Sequence, residues 1–146
     1  MREILFRGKT ENGEWEYGVP VFSGLNNELA FMKQMHSYDH QVIPETVGQY
    51  TGLIDKNGKK IFEGDIVKVY EDIDYRIGVH KSNRKTRTII GVVVFDEKRF
   101  EYQIKNEEYN LTLFRLSKKD TNEVIGNIHD NPELLKEGEK EMGVEL

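Results

Sequence analysis

The stretch Tyr50-Thr51-Gly52-Leu53-Ile54-Asp55-Lys56-Asn57-Gly58-Lys59-Lys60-Ile61-Phe62-Glu63-Gly64-Asp65-Ile66-Val67-Lys68-Val69-Tyr70 decides the fold. Asn57-Gly58 tolerates the positive φ angles of a tight reversal between two strands. Phe62-Glu63-Gly64-Asp65 reads as a second reversal that feeds a strand beginning at Ile66. Val67 and Val69 then share one face, and Ile66, Lys68 and Tyr70 the other. Short strands joined by tight turns, with a Gly-Asp-apolar-Val start of this kind, suit a small SH3-like barrel.

Downstream, residues 71–88 are long, polar and without a clear period, and read as a loop inserted into that barrel. A short extended pair around 73–79 is the other reading. Strand character returns at Ile89-Ile90-Gly91-Val92-Val93-Val94-Phe95. A charged turn, 96–99, leads to the alternation of Phe100, Tyr102 and Ile104 with Glu101, Gln103 and Lys105, the signature of a half-buried strand. Residues 111–116 and 124–128 supply two more. Residues 50–130 are therefore expected to form the barrel. Asn131-Pro132-Glu133 places a capping residue, a first-turn proline and an acid in order, so a short helix is expected within 131–146, docked through Leu134, Leu135 and Met142.

Upstream, residues 1–49 read as a separate β-rich region. Residues 4–9 and 15–22 flank Asn12-Gly13 as a hairpin. Trp15, Tyr17, Val19 and Val21 alternate with Glu16, Gly18 and Pro20, which makes one face apolar. Pro20 belongs at an edge or bulge, because it has no N–H to give the ladder. Residues 28–36 fit either a helix (Leu29, Met32, Met35) or a strand (Leu29, Phe31). The strand is preferred because Ser23-Gly24-Leu25-Asn26-Asn27 looks like a hairpin loop. Residues 42–50 are extended and interrupted by Pro44.

Composition agrees with a mainly β fold. The chain has 146 residues, a single alanine, Ala30, and twelve each of Val and Ile. Alanine favours helices, and β-branched residues favour strands. With 32% charged residues and mean hydropathy −0.65, the surface is wet and the core modest. There is no cysteine, which removes disulfides, thiolate metal sites and cysteine nucleophiles. No run is long enough to span a membrane, and residues 1–7 lack the apolar segment of a leader. A cytoplasmic protein is expected.

The net charge of −5 is unevenly spread. Arg76, Lys81, Arg84, Lys85 and Arg87 fall within 76–90 without one acid. Such an island could meet phosphates or an acidic partner. A solvated loop inside an acidic protein is the preferred reading.

Chemistry-bearing motifs are sparse. His36, Asp39 and His40 bring two imidazoles and a carboxylate together, but show no third metal ligand and no zincin glutamate. His129-Asp130 could form a general-base pair, although a role in the turn before the helix is preferred. No phosphate-binding loop and no Gly-x-Ser-x-Gly elbow occurs. No catalytic, cofactor-binding or metal residues are assigned. Trp15, Tyr17, Phe95, Phe100 and Tyr102 could build a stacking platform, but their alternating positions favour a hydrophobic core.

Three stretches together resemble the YopX-like family of bacteriophage and prophage proteins. They are Phe6-Arg7-Gly8-Lys9 with Gly13-Glu14-Trp15-Glu16-Tyr17-Gly18; Ile43-Pro44-Glu45-Thr46-Val47-Gly48-Gln49-Tyr50-Thr51-Gly52-Leu53 through Asp55-Lys56-Asn57-Gly58 to Ile61-Phe62-Glu63-Gly64-Asp65-Ile66-Val67; and Val124-Ile125-Gly126-Asn127-Ile128-His129-Asp130-Asn131-Pro132-Glu133-Leu134-Leu135. The resemblance implies a bacterial or phage origin and a β-rich fold with an SH3-like barrel. It implies no catalytic residues, because the family's activity is uncharacterised.

The expected function is a non-enzymatic regulatory module that binds an unidentified protein or a second copy of itself, with no cofactor and no membrane. The alternative is nucleic-acid binding through Arg76, Lys81, Arg84, Lys85 and Arg87. A hydrolase built on His129-Asp130 or on His36/Asp39/His40 ranks last.

Overall fold

A computed structural model describes residues 1–34, 37–76, 82–108, 110–112 and 121–136, with the main chain alone for 71–76, 82–86 and 112. The chain divides into two compact units. The first comprises Met1–Leu53 and Lys60–Gly64; the second comprises Ile54–Lys59 and Asp65–Leu146.

The first unit is built on an antiparallel sheet of six strands: β1 (Phe6–Lys9), β2 (Trp15–Ser23), β3 (Leu29–Lys33), β4 (His40–Val42), β5 (Gly48–Ile54) and β6 (Lys60–Phe62). Their spatial order is β4-β3-β2-β1-β5-β6. The hairpin expected at Asn12-Gly13 is present, with Phe6 opposite Gly18 and Lys9 opposite Trp15. Residues 29–33 are a strand rather than a helix, pairing from Val19–Lys33 to Ser23–Leu29. Pro20 lies past Gly18, the last β2 residue that pairs with β1, so its missing N–H falls where β2 has lost a neighbour.

Between β4 and β5 the chain must cross three strands. It does so through a 3₁₀ turn, Pro44–Thr46. Ile43 N donates to Lys9 O at 2.8 Å. Thr46 Oγ1 accepts from Lys9 N at 2.8 Å and donates to Ile43 O at 2.6 Å. The crossing therefore satisfies the end of β1. Its flanking Val42 and Val47 pack with Ala30, Met32 and Phe6 as this unit's core.

The second unit carries a five-stranded antiparallel sheet of β7 (Asp65–Arg76), β8 (Ser82–Asp96), β9 (Glu101–Lys105), β10 (Asn110–Thr112) and β11 (Asn122–Asn127). The order is β10-β9-β8-β7-β11. Ile66, Val67 and Val69 of β7, Ile89 and Val93 of β8 and Ile104 of β9 are each at most 1% exposed. Burying a side chain of this size stabilises by about 1.5–3 kcal/mol. Residues 133–136 are helical; the rest of the expected helix, 137–146, lies outside the described residues.

The mainly β class is as expected. Two expectations need correction. The barrel is not closed: among the described residues β10 and β11 are opposite edges of an open sheet. Of the inserted loop expected at 71–88, residues 71–76 and 82–88 are instead strand, paired from Ile66–Val92 to Arg76–Ser82, which favours the extended pair weighed around 73–79; residues 77–81 lie outside the described residues. Strand pairing at main-chain level needs no apolar alternation, so a polar two-stranded ribbon hides from a period search. Of the strand expected at 111–116, residues 113–116 lie outside the described residues.

Candidate functional site

Among the described residues, the β2–β3 ribbon carries a row of exposed apolar side chains. Because side chains alternate along a strand, Tyr17, Val19 and Val21 share a face, and Val21 stands opposite Phe31 and Ser23 opposite Leu29. The sequence expects an apolar face to be covered. Here Tyr17 is 46% exposed, Val19 54%, Val21 40% and Leu29 39%. Leu25 sits at the tip, fully exposed. A contiguous apolar surface of this kind on one sheet face is a contact surface by its physical chemistry.

The tip is held by local polar bonds. Gly24 and Asn27 take positive φ of 92° and 56°. Asn26 N donates to Glu28 Oε2 at 2.9 Å. That N–H, followed by Glu28's own, holds its carboxyl below the usual carboxylate range.

The apolar face runs into an aromatic cluster. The Arg7 guanidinium lies 4.6 Å from the Trp15 ring centroid and 4.8 Å from that of Phe62. Tyr17 meets Phe62 edge-on at 5.7 Å, and Tyr50 meets it at 5.6 Å. Arg7, Tyr50 and Phe62 are buried. Cation–π contacts out of water reach about 2 kcal/mol. The cluster thus anchors β1, β2, β5 and β6 to each other, and Tyr17 is its open margin. Beside it, Glu63 in the β6–β7 turn has its carboxyl pushed up by burial.

Four of the five residues singled out for phosphate contact lie on the two strands of the β7–β8 ribbon. Arg76 ends β7, and Arg84, Lys85 and Arg87 lie on β8; Lys81 lies outside the described residues. In register, Arg87 stands opposite Glu71 and Arg84 opposite Asp74. Residues 71–88 hold five bases and three acids, net +2, where 76–90 alone hold five bases and no acid.

The histidine motifs go separate ways. His36 lies outside the described residues. His40 Nδ1 is 3.8 Å from Glu16 Oε1, and Gln34 Nε2 donates to Glu16 Oε2 at 2.7 Å. His129 N and Asp130 N both donate to Asn127 Oδ1, at 3.0 and 2.9 Å. Asn127 Nδ2 donates to Asp130 Oδ2 at 3.0 Å. The Asp130 carboxylate is thus a turn element. Among the described residues no three His, Asp or Glu side chains converge as a metal site.

The aromatics of the second unit divide similarly. Phe95 and Tyr102 pack edge-on at 5.2 Å, but Phe95 is 40% and Phe100 82% exposed, so the core reading fails for Phe95, Phe100 and Tyr17. Phe100 also takes a φ of 53°. An open depression of about 490 Å³ borders this hairpin, lined by Phe95, Asp96, Lys98, Gln103, Lys105 and Asn110. Asp96 and Glu101 face each other in register, and the buried Gln103 amide donates to both, at 3.1 and 2.9 Å. That shared donor offsets the like-charge repulsion.

Residues 6–136 match the family described as YopX protein. The chain belongs to the YopX family. It is also similar to a solved structure, that of protein EF1440 from Enterococcus faecalis. The two share 28% identity at a TM-score of 0.52, over 92% of this chain and 99% of that one. No curated protein matches. The stretches that carry the YopX resemblance have structural duties: Arg7 joins the aromatic cluster, Thr46 ties the crossing to β1, and Asn127 organises the turn after β11. No helix among the described residues is long and apolar enough to cross a membrane.

Proposed function

We propose that this YopX-family chain is a non-enzymatic regulatory module of phage or prophage origin that acts in the bacterial cytoplasm by binding another protein or a second copy of itself. The observation that carries this reading is the exposed apolar face of the β2–β3 ribbon, Tyr17, Val19, Val21 and Leu29. Side chains of this kind gain by leaving water on contact. Phage or prophage origin rests on the family resemblance, and the compartment on the absence of cysteine.

Nucleic-acid binding through Arg76, Lys81, Arg84, Lys85 and Arg87 ranks second, because acids in β7 stand opposite two of these bases. A hydrolase ranks third, since Asp130 is engaged by Asn127.

Affinity capture from phage-infected cells tests the leading reading, read beside light scattering of the purified chain. The expected result is one specific protein, or a concentration-dependent rise in mass, lost when Val19 and Val21 are replaced by Glu. A measured turnover with neither partner nor self-association overturns it.

A further inference from the structure

The turn after β5 does more than close its own hairpin. Asp55 N donates to Lys59 O at 2.8 Å, and Gly58 N to Asp55 O at 3.0 Å. Gly58, at φ 79°, completes the three-residue loop typical of such a turn. A turn of this kind folds well at the surface, as Thr10–Glu14 does. Asp55, however, is only 3% exposed. Its Oδ1 accepts from Asn57 N at 2.9 Å and Lys59 N at 2.8 Å. Its Oδ2 reaches 69 residues along the chain and accepts from Val124 N at 3.0 Å. Next to it, Lys56 N donates to Asn122 O at 2.9 Å.

Those two bonds fall on an edge. Among the described residues β11 has a strand, β7, on one side only. Thr121 O accepts from Tyr70 N on the β7 side, so by alternation Asn122 and Val124 direct their main-chain groups outward. An outward carbonyl and an outward N–H two residues apart are what an added strand would bond. Here a turn supplies both halves: the Lys56 N–H takes the carbonyl, and the Asp55 carboxylate stands in for a strand carbonyl at Val124.

We propose that the Asp55–Gly58 turn is a strap that occupies the outer edge of β11 as a strand mimic, and that its release opens this edge to pairing with β11 of a second copy. Identical edges pair antiparallel across a twofold axis, so the same segment serves on both sides. This edge is distinct from the apolar face proposed above, and the two are tested separately.

Asp55→Asn keeps one oxygen for Asn57 and Lys59, but sets an amide NH₂ against the Val124 N–H, donor against donor. Lys56→Pro suits its turn position and deletes the N–H that reaches Asn122. Lys56→Ala keeps that N–H while losing, as Lys56→Pro also does, the ammonium's contacts with Glu123 at 3.3 Å and the Tyr70 ring at 4.9 Å, so it is the control for the side chain. Amide hydrogen exchange at Val124 and light scattering are measured on the full chain. Asp55→Asn and Lys56→Pro are expected to speed Val124 exchange roughly tenfold or more and to raise the mass above that of the parent, including in a Val19→Glu/Val21→Glu background. Lys56→Ala is expected to keep the parent mass and to speed Val124 exchange less than Lys56→Pro does, because a partly exposed ion pair contributes little. Unchanged Val124 exchange in both variants overturns the proposal. So does faster exchange without added mass, or added mass that vanishes with Val19→Glu/Val21→Glu. If Asp55→Asn does not fold, Lys56→Pro decides by the same criteria.

Discussion

Two ribbons run beyond a strand that flanks them, β2–β3 beyond β1 and β7–β8 beyond β11 and β9, and their sequences are chemical opposites. In the first unit, β1 accompanies β2 only to Gly18, yet β2 pairs on with β3 through Ser23. In the second, β11 accompanies β7 only to Val69, and β9 reaches β8 only from Val92. The β7–β8 pair continues past both to Arg76–Ser82. The first ribbon carries exposed Val, Leu and Tyr; the second carries acids in register with bases. The apolar one leaves hydrophobic side chains in water, whereas the charged one sets acids and bases at facing positions of its main-chain ladder. The exposed apolar side chains of the first ribbon make β2–β3 the candidate contact surface.

The strongest way to break that contrast is to charge the apolar ribbon. Val19→Glu with Val21→Glu should reduce partner binding or self-association by about 2 kcal/mol or more, the scale of an interface hot spot. Both sites are exposed, so thermal stability should stay near the parent value. Titration by light scattering or immobilised partner reads the first effect, and a melting curve the second. A full-strength complex with both glutamates present means that contact lies elsewhere.

The next effect is structural. Gly18 sits where β1 leaves β2, and a Cβ there would collide with the Lys33 carbonyl oxygen. Gly18→Ala must push β2 from β3 at the root of the apolar ribbon, at a cost of about 1–3 kcal/mol. Thermal melting should fall by several degrees. Hydrogen exchange should quicken in 19–23 and 29–33 and remain unchanged in β7–β8.

The contrast also marks how far the sequence could be read. The turns were legible because each is a local steric demand: Asn12-Gly13, Asn57-Gly58 and the 23–27 loop all join the strands expected of them. The charged ribbon was not, since the pairing of Asp74 with Arg84 and Glu71 with Arg87 depends on register, which no short window contains. Exposure of Tyr17 and Val19 was missed for a related reason. Alternation tells which side chains share a face, never whether another layer covers it. Barrel closure and the reach of Asp55 to Val124 are likewise long-range, and only the turn at Asp55 could be seen in advance. Of the candidate site, the apolar stripe on β2 was visible and its availability was not.

A smaller effect comes from undoing the register of the charged ribbon. Glu71→Lys with Asp74→Lys takes residues 71–88 from net +2 to +6 and sets like charges opposite each other. Each reversed pair should cost roughly 0.2–1 kcal/mol of stability. The variant should also gain affinity for duplex DNA that falls steeply with salt, while the parent shows little. An electrophoretic shift series across salt concentrations distinguishes them. Strong salt-dependent binding by the parent itself would reverse the ranking of the two ribbons.

The smallest effect is at the tip of the apolar ribbon and depends on pH. The Glu28 carboxylate accepts the Asn26 N–H, and its pKa is lowered in the folded chain. A carboxyl lowered by folding contributes stability that is complete above its unfolded value of about 4.3 and is lost as pH falls through the lowered folded value. The tip should therefore loosen only under acid, with faster exchange or a shifted Asn26 amide signal following the Glu28 titration. Because the carboxylate is solvent-exposed, the change in global melting should be too small to resolve. Glu28→Gln should abolish the pH dependence at Asn26 and leave the β7–β8 ribbon untouched. If the Asn26 signal instead moves in step with groups on β7 or β8, the apolar ribbon is not the locally organised element that its own turn makes it.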